Sequence, residues 1–406
     1  MNLPYFISRR ISSAESKSFS ATINKIAIAS VGLGLAIMII SFLILGGFRK
    51  TIQGKIFSFG AHIQITKYSL NNSYQEDPIA IHSLLSTLQQ YDFVDHVHAY
   101  SHKAGLLRTD NEIFGALLKG VDRNFDSLQF AENMVEGHFI NFLDSSSDYS
   151  TDVVISRKIS NTLQLGVGDD VIMDFVQDPV RSRRLNITGI YDTGLEEFDE
   201  KIILGDLGLI QRLNQWGDSL AGGVEVYLKD FKSIDEAAET LNDEVDYSLY
   251  VEKVSDKYIQ MFEWLGLLKN NVVIFLVLIL FVACFNMVSI LLILIMERTQ
   301  MIGILKALGA SNRLVRKIFS YNGFILILKG MILGNLIGIG FGLLQYYFQI
   351  IPLDPENYYM DFVPIEWDIL TIVGLNVLTF AIIALVLNIP TTLILRIQPI
   401  RAIRFD

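Results

Sequence analysis

Three histidines, His96, His98 and His102, are the nearest approach to a metal-ligating group in this 406-residue chain. His96 and His98 alternate along a strand-like run and share one face, with His102 close behind, a spacing that could hold a divalent cation. The sequence places no carboxylate or cysteine to complete such a site, so they read as surface histidines and no metal is expected. Glu196, Glu197, Asp199 and Glu200 form an acidic loop that reads as solvated. The only cysteine, Cys284, sits inside an apolar run, which leaves no disulfide framework, no Cys-based metal site and no lipobox cysteine. No G-x-S-x-G, H-E-x-x-H or G-x-x-x-x-G-K-[ST] occurs. No catalytic residue and no cofactor of its own are therefore expected; if ATP drives this protein, another chain hydrolyses it.

What remains is mechanical, and it centres on Met296 to Phe319, a basic amphipathic segment between two long apolar runs. Glu297 to Leu308 reads as a short helix with Met301, Leu305 and Leu308 on one face and Ile304 beside them, while Arg298 and Lys306 lie off that stripe. Gly309 suits a left-handed C-cap and Ser311 an N-cap, so the segment reads as helix, tight break, helix. Pattern alone leaves two readings open: a short helix lying along the membrane surface, or an ordinary intracellular loop whose charges obey the positive-inside rule.

Half of the residues are apolar, yet 19% are charged, too many for a chain wholly in lipid. Four runs are long enough to span a bilayer: Ile26 to Phe48, Val272 to Ile295, Phe324 to Phe348 and Ile369 to Leu395. The first is too long for a signal-peptide core and lacks a cleavage site, so it reads as a retained helix. Residues 1–25, the 297–317 loop and the tail with Arg396, Arg401 and Arg404 are basic and read as cytoplasmic. Residues 49–269 hold 20 Lys/Arg against 35 Asp/Glu, and 349–368 hold five acids and no base; both read as outside. The net charge of −10 is thus a statement about topology, and no basic face suited to nucleic acid remains.

Within the third run Gly330, Gly334, Gly338 and Gly342 make three successive G-x-x-x-G steps with Gly340 alongside, a flat groove for close helix approach. The groove can serve packing inside one subunit or a dimer seam. Pro390 is expected to kink the last helix. In the outer region His62 to Ile65, Val94 to Ala99, Val153 to Ile155, Val171 to Phe175, Leu185 to Tyr191 and Val224 to Leu228 read as strands, and Ile79 to Gln90 and Ile234 to Leu241 as helices. The fold class is therefore an α-helical membrane protein with four transmembrane helices and a large α+β extracytoplasmic domain between helices one and two.

The run E-R-T-x-x-I-G-I-L-K-A-L-G-A-S from Glu297 to Ser311 resembles the signature of the FtsX-like (MacB-type) family of ABC-transporter permeases. Phe6-Ile7 with Arg9-Arg10, Tyr359 to Pro364, and Gln398 to Ala402 are similar to its lipoprotein-releasing (Lol) subgroup, and Thr188 to Ile190 and Leu165 to Asp169 stand where the family's outer domain has a strand and a turn. The resemblance implies a 1–25 cytoplasmic segment, a 26–48 membrane helix, a 49–265 periplasmic domain, and a 266–406 permease domain whose 297–310 helix docks on the ATPase. It implies that Glu297, Arg298, Gly303, Ile304, Lys306, Leu308, Gly309 and Ala310 make that coupling. MacB-type efflux subunits carry a fused ATPase that does not occur in this sequence, and cell-division FtsX proteins have a smaller outer domain. The 177–184 stretch, with Pro179, Arg181, Arg183 and Arg184, occupies the place of a hairpin that hooks a periplasmic carrier in one Lol subunit type, and is shorter.

The resemblance implies a multi-pass inner-membrane permease, N- and C-termini cytoplasmic, paired with an identical or related permease and two ATPase chains that hold the ATP and magnesium. It would extract lipoproteins for a periplasmic carrier, with membrane lipids around it. An apolar cavity is expected from Phe42, Leu45 and Phe48 on the first helix and Phe262, Leu265 and Leu268 on the second, against plain lipid or helix contact as the alternative. The rival function is a mechanotransmission permease in efflux, signalling or envelope remodelling, which moves no lipid.

Overall fold

The structure is a computed structural model that describes residues 19–68, 76–110, 112–142 and 149–393, together with Phe6. The expected motif at Arg9-Arg10, the tail arginines and the Gln398 to Ala402 motif lie outside the described residues. The chain divides into two compact units. One is helical, comprising Met1–Lys50, Trp264–Leu353 and Phe362–Asp406; the other, comprising Thr51–Glu263 and Asp354–Asp361, carries the sheet.

Among the described residues four helices are long and apolar enough to cross a membrane. The first, α1 (Phe19–Gly60), runs 42 residues, well past the apolar stretch that ends at Phe48. Nothing between Arg49 and Phe59 breaks it, since the stretch is free of proline and rich in helix-compatible residues. It stops where Ala61 takes a positive φ of 49°. In the sheet unit follow β1 (Ile63–Lys67), β2 (Ile79–Ala80), α2 (Ile81–Leu88), β3 (Val94–Arg108), β4 (Ile113–Val121), β5 (Met134–Gly137), β6 (Asp152–Ser156), α3 (Arg157–Leu163), β7 (Asp170–Phe175), β8 (Arg181–Tyr191), β9 (Ile202–Asp206), α4 (Leu207–Asn214), β10 (Leu220–Ala221), β11 (Gly223–Leu228), α5 (Ile234–Glu244) and β12 (Leu249–Lys253). The helix expected from Ile79 starts two residues later, because Ile79 and Ala80 pair with Ala221 and Leu220 instead.

Ten strands form one sheet in the order β12-β1-β11-β3-β4-β9-β6-β8-β5, with β7 bridging β3 and β8. Pairings are antiparallel except β4 with β9 and β6 with β8. The fifteen-residue β3 serves two neighbourhoods: its first half pairs with β11, and its last four residues pair with β7. Buried Leu118, Ile155, Met173, Phe175, Ile187 and Ile203 from the strands meet Ile159 of α3 and Ile210 of α4 in one core. The inward positions of the strands supply it by their period of two.

In the helical unit α6 (Ile259–Glu297) begins thirteen residues before the expected span, since Gln260, Glu263, Lys269 and Asn270 leave the apolar run without leaving helical conformation. A short α7 (Thr299–Ala307) leads to α8 (Asn312–Phe348), then α9 (Ile369–Val386) and α10 (Asn388–Leu393). The break at Leu387 lies three residues before Pro390, which lacks the N–H that would bond residue 386 and crowds that carbonyl. Between α8 and α9 the amides of Asn335 and Asn376 bond reciprocally, each Nδ2 donating to the other's Oδ1 at 2.7 and 2.9 Å.

Candidate functional site

The coupling segment folds as helix, break, helix, but its bounds are tighter than expected. Glu297 is the last residue of α6, and Arg298 (φ −99°) separates it from α7. At the far end Gly309 adopts φ +92°, its N–H bonds the Lys306 carbonyl at 3.0 Å, and the Ala310 N–H reaches back to the Leu305 carbonyl at 2.9 Å. This six-to-one, five-to-two pair is the Schellman closure, which selects glycine because the left-handed region is costly for other residues. Ser311 Oγ then accepts from the Leu314 N–H and caps α8.

The most deeply buried side chain of α7 lies outside the Met301, Leu305, Leu308 stripe, although Met301 packs against the same cluster. Ile302 is fully buried, packed with Leu294, Ile295, Val315 and Phe319, and Gly303 is buried beside it. A nine-residue helix joining two long ones must show them whichever side faces their ends, and the stripe of the isolated segment carries no such information. Ile304 and Leu308 are left 53% and 80% exposed, with Met296 at 75%. Lys306 is half-buried, and Gly309 has open space around its Cβ direction.

The glycine groove of α8 is filled by α1 of the same chain. A Cβ on Gly330 would lie 2.8 Å from Val31 Cβ, on Gly334 2.7 Å from the Gly32 carbonyl oxygen, on Gly338 3.1 Å from Ile39 Cβ, and on Gly342 2.8 Å from Leu43 Cδ1. Gly340 faces open space. The packing alternative therefore accounts for these glycines. Of the expected cavity residues, Phe42 packs against Leu35, Met38, Ile39 and Leu43, Leu265 is buried, and Leu45, Phe48 and Leu268 are half-buried. Phe262 belongs to the sheet unit, where its ring stacks on Phe231 with centroids 5.8 Å apart.

The sheet unit corrects the histidine reading. His98 is fully buried and its Nε2 lies 2.7 Å from Glu225 Oε2; His102 Nδ1 lies 2.5 Å from Glu76 Oε1; His96 is the partly exposed one. Carboxylates are therefore at hand, but as hydrogen-bond partners, and among the described residues no group of three or more His, Cys, Asp or Glu could hold a metal. Glu225 also receives Lys119 Nζ at 2.6 Å and Gln64 Nε2 at 2.7 Å, while Lys119 donates to the Phe59 carbonyl near the end of α1. Burial by itself would push the Glu225 carboxyl up, but the Lys119 ammonium and the His98 contact hold it well below the usual carboxylate range. Burial lowers Lys119, and the Glu225 charge opposes that fall.

Of the acidic loop, Glu196, Glu197 and Glu200 are exposed, whereas Asp199 is buried. It accepts from the Thr193 N–H and hydroxyl, the latter at 2.7 Å, which fixes the loop rather than solvating it. The 177–184 stretch is the turn and first residues of the β7–β8 hairpin. Val176 and Val180 flank Pro179 and are mostly exposed, Arg184 pairs with Asp170 at 2.6 Å, Arg181 donates to the Leu213 carbonyl, and Arg183 donates to the Ser182 carbonyl.

Sequence reasoning missed Lys119, Glu225 and Ile302. Lys119 interrupts Ala116 to Val121 and Glu225 interrupts Val224 to Leu228, so a lone charge of each sign inside two strand-like apolar runs was the available signal.

The chain matches the FtsX-like permease C-terminal family over residues 273–399 and the MacB-like periplasmic core domain over residues 26–244, more than half of its length. It is 25% identical over 420 residues to the lipoprotein-releasing system transmembrane protein LolE of Haemophilus influenzae, covering 98% of both chains. It is 23% identical over 419 residues to LolC of Neisseria meningitidis serogroup B, again covering 98% of both. The crystal structure of the periplasmic region of MacB from Actinobacillus actinomycetemcomitans aligns with a TM-score of 0.36 and 16% identity, over 51% of this chain and 95% of that one.

Proposed function

We propose, from the premise that this chain belongs to the FtsX-like permeases with a MacB-like periplasmic core domain, that it is a permease subunit of a lipoprotein-releasing ABC complex in an inner membrane. The observation that carries the reading is the match to Lol permease subunits from end to end, outer domain included. The chain spans the membrane four times with both termini cytoplasmic and the sheet unit periplasmic, a topology supported by the charge asymmetry. It pairs with an identical or related permease and two ATPase chains, which bind the ATP and magnesium.

In this reading α7 meets the ATPase through Ile304 and Leu308, whose exposed apolar surface would gain about 1.5–3 kcal/mol for each side chain fully buried on docking. The Schellman closure at Gly309 and the Ile302 anchor fix α7 to both neighbours, so a push on it reaches α6 and α8 directly. The chain performs no covalent step. Its α1 and α6 would open to acyl chains at the outer leaflet near Phe48 and Leu268 and close on ATP binding, handing the lipoprotein to a carrier drawn by the Pro179 hairpin.

A photocrosslinking residue at Phe48 or Leu268, in cells or proteoliposomes, tests this. It is expected to capture triacylated lipoprotein without ATP and to lose it when ATP is added. Capture of phospholipid alone, with lipoproteins sorted normally in cells depleted of the chain, would overturn the reading in favour of mechanotransmission.

A further inference from the structure

The motif Tyr359 to Pro364 has no part in the coupling segment, the groove or the hairpin. Its first three residues end the stretch Asp354–Asp361, which belongs to the sheet unit although it lies in the chain between α8 and α9. This strap is stapled to that unit by one side chain. Lys55, on the last turns of α1, donates from Nζ to the Thr193 carbonyl at 2.5 Å and to the Tyr359 carbonyl at 2.6 Å.

Both acceptors are held in place by structure of their own. Thr193 is fully buried in a loop closed by Asp199, and its hydroxyl accepts the Leu195 N–H while Asp192 accepts the Gly194 N–H. The strap turns on itself, the Tyr359 N–H bonding the Pro355 carbonyl, and places Tyr359 at φ +61°, a conformation that non-glycine residues seldom adopt. Gly194, at φ +68°, lets the two backbones touch: a Cβ there would sit 3.1 Å from the Tyr359 carbonyl oxygen and 3.3 Å from its carbon. Burial lowers the Lys55 ammonium from its usual range, and the charges of Asp192, Asp199 and Asp361 oppose that fall.

A donor shared by two carbonyls, across a backbone contact that the absence of a Cβ at Gly194 keeps close, binds two segments that are far apart in the chain. We propose that Lys55 is the bolt of a clasp between the 192–195 loop and the 354–361 strap, and that this clasp carries movement of the α8–α9 connection into the sheet unit during transport. Lys55 is a positioning residue: it touches no cargo and acts through the strap. The proposal rests on the permease reading for the identity of the cargo, but not for the existence of the clasp.

The test uses the full chain with its ATPase in membranes, in a Cys284→Ala background, with spin labels at the exposed positions Glu197 and Tyr358. A single narrow distance is expected for the wild type and for Lys55→Arg, which keeps charge and donors. Lys55→Met, and independently Gly194→Ala, which adds one methyl at the contact and removes no charge, are expected to broaden it. Triacylated lipoprotein released per ATP hydrolysed should fall about fivefold or more in both, the span of a modest coupling energy, and recover in Lys55→Arg. A narrow distance in Lys55→Met overturns the clasp. A broadened distance with unchanged release per ATP overturns its coupling role. A wild-type complex that releases no lipoprotein at all refutes the cargo reading instead, while the distances still judge the clasp.

Discussion

Adding the same methyl group at Gly334 and at Gly340 should move stability in opposite directions. Both glycines lie in the interior of α8, where glycine is less favourable than alanine by roughly 0.5–1 kcal/mol, so on propensity alone either replacement should help. At Gly340 nothing lies within 4 Å of the new carbon, and that gain should appear intact. At Gly334 the carbon would meet the Gly32 carbonyl oxygen at 2.7 Å and Leu35 Cβ at 2.9 Å, half an ångström or more inside contact, and neither the backbone oxygen nor a Cβ can swing aside. α1 must then withdraw, and with it go the contacts at Gly330, Gly338 and Gly342, because a gap of 0.5–1 Å forfeits about a quarter to a half of each dispersion well. Overpacking of this kind costs about 1–3 kcal/mol, which exceeds the propensity gain, so Gly334→Ala should be net destabilising by about 1–2 kcal/mol and Gly340→Ala slightly stabilising. The half-buried Cys284 on α6 is a built-in reporter: its labelling by a thiol-reactive fluorophore during heating in detergent gives the midpoint for each variant. If Gly334→Ala is neutral in the isolated subunit and harmful only in the assembled complex, the groove is a seam between subunits and its assignment to packing within one chain fails.

Other expectations follow from the same geometry. Gly309→Val, which meets no neighbour, should uncouple cargo-stimulated ATP hydrolysis through φ alone, at roughly 1 kcal/mol or more, without loss of membrane insertion; unchanged stimulation in the purified complex would count against the docking role. Cysteines at the fully exposed Tyr247 and at Asn312, with Cys284 replaced, should react with an impermeant thiol reagent from opposite sides of the membrane, and labelling of both from outside would refute the topology. His62 is pushed down to about 4 by burial and by its neighbour His96, and its Nδ1 accepts the Leu228 N–H at 2.8 Å. Between about 6.5 and that value the unfolded chain holds a proton the folded one lacks, so stability should drain as pH falls through this window, on the order of 3 kcal/mol in all. His62→Asn, which can still accept, should flatten the pH dependence of chemical denaturation. Lys119→Met should destabilise the sheet unit by about 3–5 kcal/mol by stranding a buried carboxylate, and Lys119→Met with Glu225→Gln should recover most of it in the same denaturation assay.

Much of this was legible because it depends on local rules. Gly309 and Ser311 announce their caps, the strand runs announce themselves by alternation, and the four apolar runs need no partner to be recognised. Helix ends were the weak point: α1 and α6 continue through polar residues, since hydropathy marks where a helix can meet lipid, not where it stops. The glycine stripe was visible but its partner was not, because a groove specifies closeness and leaves the identity of the approaching helix open. Least legible were the contacts with long separation in the chain. Lys55 and Tyr359 are 304 residues apart, and Lys119 and Glu225 are 106 apart; neither pair has a periodicity to betray it. The buried face of α7 was not legible for the same reason, as Ile302 is buried by helices on either side of it rather than by a pattern of its own.

The reciprocal bond between Asn335 and Asn376 also limits how α8 and α9 can travel. Each amide is at once donor and acceptor to the other, and each Nδ2 also donates to its own helix, at the Met331 and Ile372 carbonyls, so sliding one helix past the other by a residue, about 1.5 Å, would break both interhelical bonds and strand the two Oδ1 acceptors. Rotation about the amide pair itself leaves both bonds whole. The pair is a pivot rather than a rail: α8 and α9 can scissor about mid-helix, and an angular displacement imposed at one end returns, reversed in direction, at the other.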